Sequence, residues 1–188
     1  MHHLPRAVLI LTATLYFLVA AGTATAATPA GTVTEFSAGL TGAAGSLAGG
    51  PDGNLWFTQA SQDQVGFMTP TGVVTEFGAG ISAGSQPAGI ALGPDGNMWF
   101  TEPGSDAIGR VTPAGIVTEF SAGITPNAGL REITPGPDGN MWFTETDADQ
   151  IGRITPAGVV TEFATGISVG AEPVGIAAGP DGNLWFTE

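Results

Sequence analysis

Gly93-Pro94-Asp95-Gly96-Asn97-Met98-Trp99-Phe100-Thr101-Glu102 returns almost unchanged at Gly136–Glu145 and Gly179–Glu188, and once more, closing on Gln59, at Gly50–Gln59. The Asp-Gly pairs begin at residues 52, 95, 138 and 181, a constant spacing of 43. A fixed period of that size marks an array of one supersecondary unit. Within the unit, Pro at the second place and Gly at the fourth suit a type I turn, because Pro presets φ and Gly accepts the exit geometry. Leu/Met-Trp-Phe-Thr then supplies the aromatic and β-branched residues of a strand. Trp99 and Phe100 must point to opposite faces, so the strand is apolar on both sides and lies in a sheet covered on both sides.

Three further pieces complete the unit. Ala88–Leu92 leads into the Gly-Pro-Asp-Gly turn, and Asn97–Glu102 leaves it. Ala107–Thr112 follows a short polar loop, Pro113-Ala114-Gly115 makes a second turn, and Ile116–Phe120 is the last piece. Four short antiparallel strands in 40–50 residues make one blade of a β-propeller. Helical repeats have other periods and do not tolerate this density of Gly, Pro and β-branched residues. The predicted fold is all-β, with about four blades between residues 27 and 188.

The chain opens with His2, His3 and Arg6 before an apolar run from Ala7 to Ala21, and Ala24-Thr25-Ala26 fits a small-residue cleavage site. Residues 1–26 therefore read as a secretory signal peptide cut before Ala27. The competing reading, a membrane anchor, needs about 20 apolar residues, and the run is shorter. A secreted or periplasmic protein is expected, without a membrane partner once the signal is removed. With no Cys, its stability must come from packing. The formal charge is -13 and there is no Lys, which excludes nucleic acid as a partner.

Gly-Pro-Asp-Gly-Asn-Leu/Met-Trp-Phe-Thr-Glu, then Ile-Gly-Arg-Ile/Val-Thr-Pro at Ile108–Pro113 and Ile151–Pro156, then Val-Thr-Glu-Phe, resembles the blade repeat of the streptogramin lyases, also called virginiamycin B lyases. The resemblance covers essentially all of residues 31–188. It implies a seven-bladed propeller that opens cyclic depsipeptide antibiotics by elimination across an ester, using Mg²⁺ and a histidine general base on the rim. A small cyclic peptide is the implied ligand. The family's histidine follows the proline that opens an innermost strand. The matching positions hold Ala88 after Pro87, Val174 after Pro173, and Arg131, where the proline is missing. The only histidines are His2 and His3. Ala, Arg and Val cannot accept the proton, so no catalytic residue is identified and the chain as it stands is expected to be inactive. The alternative is a non-catalytic extracellular propeller that binds a ligand or protein on its rim.

Antiparallel strands gather Ala88, Glu102, Asp106, Arg131, Glu145, Asp147, Asp149, Val174 and Glu188 at one end of the blades. That irregular, acidic end is the candidate functional rim, because loop variation is where such scaffolds carry function. The candidate binding residues are Arg131, Glu145, Asp147 and Asp149. Arg131-Glu132 replaces Ala88-Gly89 and Val174-Gly175, and only one of the two should face the channel. Arg131 either contacts a ligand or forms a local ion pair with Glu132 or a neighbouring carboxylate. Glu145, Asp147 and Asp149 either hold a hard cation through oxygen ligands or form a solvated acidic loop. No Mg²⁺ site is identified. Glu102, Glu145 and Glu188 recur, which favours a service to the blade over catalysis.

A ring of six or seven such blades needs about 260–300 residues. The expected reading is therefore an incomplete six- or seven-bladed propeller, a fragment starting on a lone strand Thr32–Phe36 and stopping after Asn183–Glu188. Its open sheet edges are expected to promote association.

Overall fold

The computed structural model describes residues 35–188. The signal peptide expected at 1–26 and most of the lone strand expected at Thr32–Phe36 lie outside them. Blade 1 consists of β1 (Leu47–Gly49), β2 (Leu55–Gln59), β3 (Gln64–Met68) and β4 (Val74–Phe77). Blade 2 holds β5 (Ile90–Leu92), β6 (Met98–Glu102), β7 (Ala107–Val111) and β8 (Val117–Phe120). Blade 3 holds β9 (Leu130–Pro135), β10 (Met141–Glu145), β11 (Gln150–Ile154) and β12 (Val160–Phe163). β13 (Ile176–Ala178) and β14 (Leu184–Phe186) form a two-stranded fourth sheet. Strands pair antiparallel in sequence order within each sheet. No described helix is long and apolar enough to cross a membrane.

The repeated turns do more than reverse the chain. Gly96 N–H donates to Gly93 O at 3.1 Å, and Gly96 has φ +76°, a conformation that an L side chain resists. Asp95 Oδ1 accepts both Asn97 N–H at 3.2 Å and the Trp99 indole N–H at 2.9 Å. The turn aspartate thereby fixes the tryptophan four residues later, and Asp52, Asp138 and Asp181 do the same for their own Trp. The first strands are shorter than the apolar pieces of sequence. β5 starts at Ile90, although Ala88 and Gly89 still exchange backbone hydrogen bonds with Thr101.

The two faces of each second strand pack against different blades. Phe100 and Met98 meet Trp56 and Val65 of blade 1, whereas Trp99 meets Ile133, Met141 and Phe143 of blade 3. On the Trp face of blade 2 the Arg110 guanidinium lies 5.3 Å from both the Trp99 and Phe120 ring centroids and 3.9 Å from Asp95. Arg153 repeats this in blade 3 with Trp142, Phe163 and Asp138. Blade 1 has Phe67 instead, its ring tilted against Trp56 and Phe77 at centroid distances of 5.2 and 5.9 Å.

Candidate functional site

β1, β5, β9 and β13 are neighbours from blade to blade, which makes them the innermost strands. Their openings, at Gly45, Ala88, Arg131 and Val174, are set by the threonine of the Trp-Phe-Thr motif. Thr101 Oγ1 accepts Gly89 N–H at 2.9 Å and donates to Arg131 O at 2.7 Å in the next blade. Thr58 likewise donates to Ala88 O at 2.8 Å, and Thr144 to Val174 O at 2.9 Å. Each blade thus holds the position that matters in its successor. The sequence pattern marks these threonines only by their recurrence, since the partner carbonyl lies 30 residues away.

Blade 3 departs from the others at this place. Its inner strand runs six residues, Leu130–Pro135, and its register against β10 shifts between Phe143 and Glu145. The irregularity changes the expected alternation: Arg131 and Glu132 are both exposed, rather than only one of them. Leu130 and Ile133, on either side, are buried in the core. The ion pair weighed for Arg131 is not formed, for among the described residues the salt bridges within 4.0 Å are those of Arg110 and Arg153. Arg131, at the opening of the inner strand, has no ion-pair partner among the described residues, and its guanidinium can hydrogen-bond a carbonyl or carboxylate.

The acidic residues behave differently from the expected rim. Glu102 and Glu145 are 0% exposed, with carboxyl groups directed into the blade. Glu145 lies over Gly152, where a Cβ would come within 2.7 Å of Oε1, so the missing side chain makes the space. Burial, then the neighbouring Glu162 carboxylate, pushes Glu145 up to about 8. Burial, then Glu119, does the same to Glu102. A buried acid that keeps its proton at neutral pH neither contacts a ligand nor serves as a general base. Asp149 is also engaged: it accepts Gly170 N–H at 2.7 Å and Glu172 N–H at 2.9 Å, and these bonds lower its pKa. Asp63 clamps Gly84 and Gln86 in the same way one repeat-pair earlier. Asp147 is exposed and lies against Gly129. Glu145, Asp147 and Asp149 therefore do not converge. Among the described residues no three acidic or histidine groups are placed to hold a metal ion, so these side chains do not fit an Mg²⁺ site.

Of the four residues expected on a binding rim, the structure leaves Arg131 and Asp147 available and commits Glu145 and Asp149 to the scaffold. Ala88 is half-buried and Val174 is exposed at the two matching openings. Away from this rim, an apolar cleft of about 510 Å³ lies between blade 3 and the fourth sheet, lined by Trp142, Ile151, Phe163, Ile176, Leu184 and Phe186.

The chain is similar to virginiamycin B lyase from Staphylococcus aureus, with 39% identity and a TM-score of 0.79 over 86% of this chain and 54% of that one. A streptogramin B lyase structure matches at 36% identity and TM-score 0.78, over 84% of this chain and 52% of the other. A catalytically inactive His-to-Ala virginiamycin B lyase from Staphylococcus aureus, solved with quinupristin, matches at 37% identity and TM-score 0.77, over 85% and 54%. The chain thus spans about half the length of these lyases. No curated protein sequence matches it. The model of the virginiamycin B lyase family matches residues 12–188, and the chain belongs to that family.

Proposed function

We propose that this chain is the substrate-cradling part of an exported, Mg²⁺-dependent lyase for cyclic depsipeptide antibiotics of the streptogramin B kind, and that its catalytic base lies outside these 188 residues. One observation carries the reading. The three strand openings that match the family's histidine position stand side by side and hold Ala88, Arg131 and Val174. None accepts a proton at neutral pH, since Arg stays charged and the others have no titratable group. General base catalysis contributes about 10²- to 10⁴-fold, so a substrate seated here stays closed. What these residues supply is binding. Arg131 donates to a depsipeptide carbonyl, and the small Ala88 and the apolar Val174 leave room for the ring. The Mg²⁺ requirement is carried over from the family resemblance and finds no holder among the residues described. Export rests on the pattern of residues 1–26.

A second reading has its own support. The departure at Arg131-Glu132 puts two exposed charges at the mouth of an otherwise small and apolar ring, which suits a non-catalytic rim that binds a ligand or protein. One experiment separates the two. The purified chain is incubated with quinupristin and Mg²⁺, and linearised product is followed by mass spectrometry beside a complete lyase. Binding without linearisation is expected. Linearisation near the control rate overturns the assignment of the base. Failure to bind the antibiotic at all favours the second reading.

A further inference from the structure

Glu102 and Glu145 close β6 and β10 in full burial, and among the described residues no N–H group donates to the carboxyl oxygens of either. An ionised carboxylate in such a place costs far more than a neutral acid. Each also faces a second carboxylate, Glu119 on β8 for Glu102 and Glu162 on β12 for Glu145. Those second glutamates act as acceptors on the crossover loops. Glu119 takes Ser82 N–H at 2.6 Å and its hydroxyl at 2.7 Å, and Glu162 takes Thr125 N–H and its hydroxyl at 2.5 and 2.8 Å.

Among the described residues nothing positive offsets these pairs. Arg110 and Arg153 lie on the opposite, Trp-bearing faces with Asp95 and Asp138, and Arg131 is exposed. The other groups beside Glu102 are the buried Ser85 hydroxyl and, from blade 1, Asp63. The corner residue matching Asp63 in blade 2, Asp106, is tied to Asn127 N–H. Blade 1 gives an internal control. There Gln59 occupies the same place, equally buried, and its amide donates to Gly42 O at 3.0 Å. The site accepts a neutral side chain of this shape.

We propose that blades 2 and 3 each hold one proton in a carboxyl–carboxylate pair, Glu102 with Glu119 and Glu145 with Glu162, so that the folded chain carries two protons that the unfolded chain releases. The buried member of each pair titrates at about 8 when folded, against an ordinary value of 4.5. The stability this lends is fully present below the ordinary value and is lost as pH rises through about 8. Glu145 pairs with Leu130 at the start of β9, so its ionisation loosens the strand that carries Arg131.

The test is urea unfolding of the full chain across mildly acid to alkaline pH. Between about pH 5.5 and 7, two retained protons make the unfolding constant rise about a hundredfold per pH unit, tenfold for each. No histidine after His3 titrates in that window. Glu102→Gln or Glu145→Gln alone should halve the logarithmic slope, and the double variant should abolish it. Infrared spectra of the native wild type at neutral pH supply a readout that does not depend on a variant folding. They should show a protonated carboxylic acid band that disappears above pH 9. A flat pH dependence in the wild type, an unchanged slope in the double variant, or no such band overturns the proposal.

Discussion

Blade 2 and the two-stranded fourth sheet are built on nearly the same ten residues, Gly93–Glu102 and Gly179–Glu188, and finish in opposite surroundings. Trp99 is 0% exposed and Trp185 is 63% exposed, although each donates its indole N–H to the aspartate of its own turn. Phe100 is sealed between blades, while Phe186 borders an open cleft. The local geometry of the motif is therefore self-contained: turn, capping aspartate and strand form in both places. The covering layer is not. Blade 2 has β7 and β8 beside β6, blade 3 packed on its Trp99 face and Arg110 laid over Trp99; β14 has β13 alone as its sheet partner among the described residues. Burial in a propeller is a property of the neighbouring blade, and an identical sequence earns none of it by itself.

The largest expected effect of that difference is at the tryptophan. Trp99→Ala should cost about 3–5 kcal/mol, because it empties a filled space between two blades. Trp185→Ala should stay within about 0.5 kcal/mol, as at other exposed sites. Urea unfolding of both variants checks the contrast, and equal costs would mean that the fourth sheet is covered in solution by another molecule. Such cover is the proposed consequence of its exposed apolar edge, and size-exclusion chromatography with light scattering at rising concentration should reveal association.

The threonines sharpen the comparison at a smaller scale. Thr101→Val leaves Gly89 N–H and Arg131 O each short of a side-chain partner and should cost about 1–3 kcal/mol. Thr187 accepts only Gly175 N–H at an exposed position, so Thr187→Val should cost less than about 1 kcal/mol. Replacing Arg110 by Gln removes a cation over two rings and a loose ion pair, with an expected loss of about 1 kcal/mol measured the same way.

The smallest effect concerns acid. Asp63 and Asp149 accept two loop N–H groups each, and these bonds lower their folded pKa values below the ordinary 3.8. A depressed folded value contributes stability that is present above the ordinary pKa and lost as pH falls through the lower one. Unfolding followed at decreasing pH should show this loss below about pH 4, and Asp63→Asn should shrink it. Asp149→Asn should shrink it less in global stability, since the loop it holds leads only to the fourth sheet.

Much of this architecture was legible in the residues. The 43-residue spacing, the Pro and Gly of the turns and the two-sided apolar strands all act locally, so they can be read without knowing the neighbours. The candidate rim was legible only in part. Glu145 and Glu102 read as rim carboxylates because they end a strand. Glu145 is buried over Gly152 of the adjacent strand, which carries no side chain to displace it, and Glu102 is buried beside Ser85 of the crossover loop. Asp149 read as a cation ligand or a solvated acid, whereas its oxygens are taken by loop N–H groups some 20 residues later. Arg131 stood out as a break in the pattern. Its freedom from Glu132 followed from a register shift in β9 that no local signal announces.

The repeated carboxylates Glu102 and Glu145 belong to the scaffold, and ligand contact is assigned to the Arg131-Glu132 break in the third repeat. Titration of quinupristin into the wild type, Arg131→Ala and Glu145→Gln at pH 6, where Glu145 is protonated, tests that division most directly. Arg131→Ala should weaken binding by about tenfold or more, in line with about 1.5–3 kcal/mol for a hydrogen bond to a charged group. Glu145→Gln should bind as the wild type does. Binding that survives Arg131→Ala and is lost in Glu145→Gln would contradict this assignment.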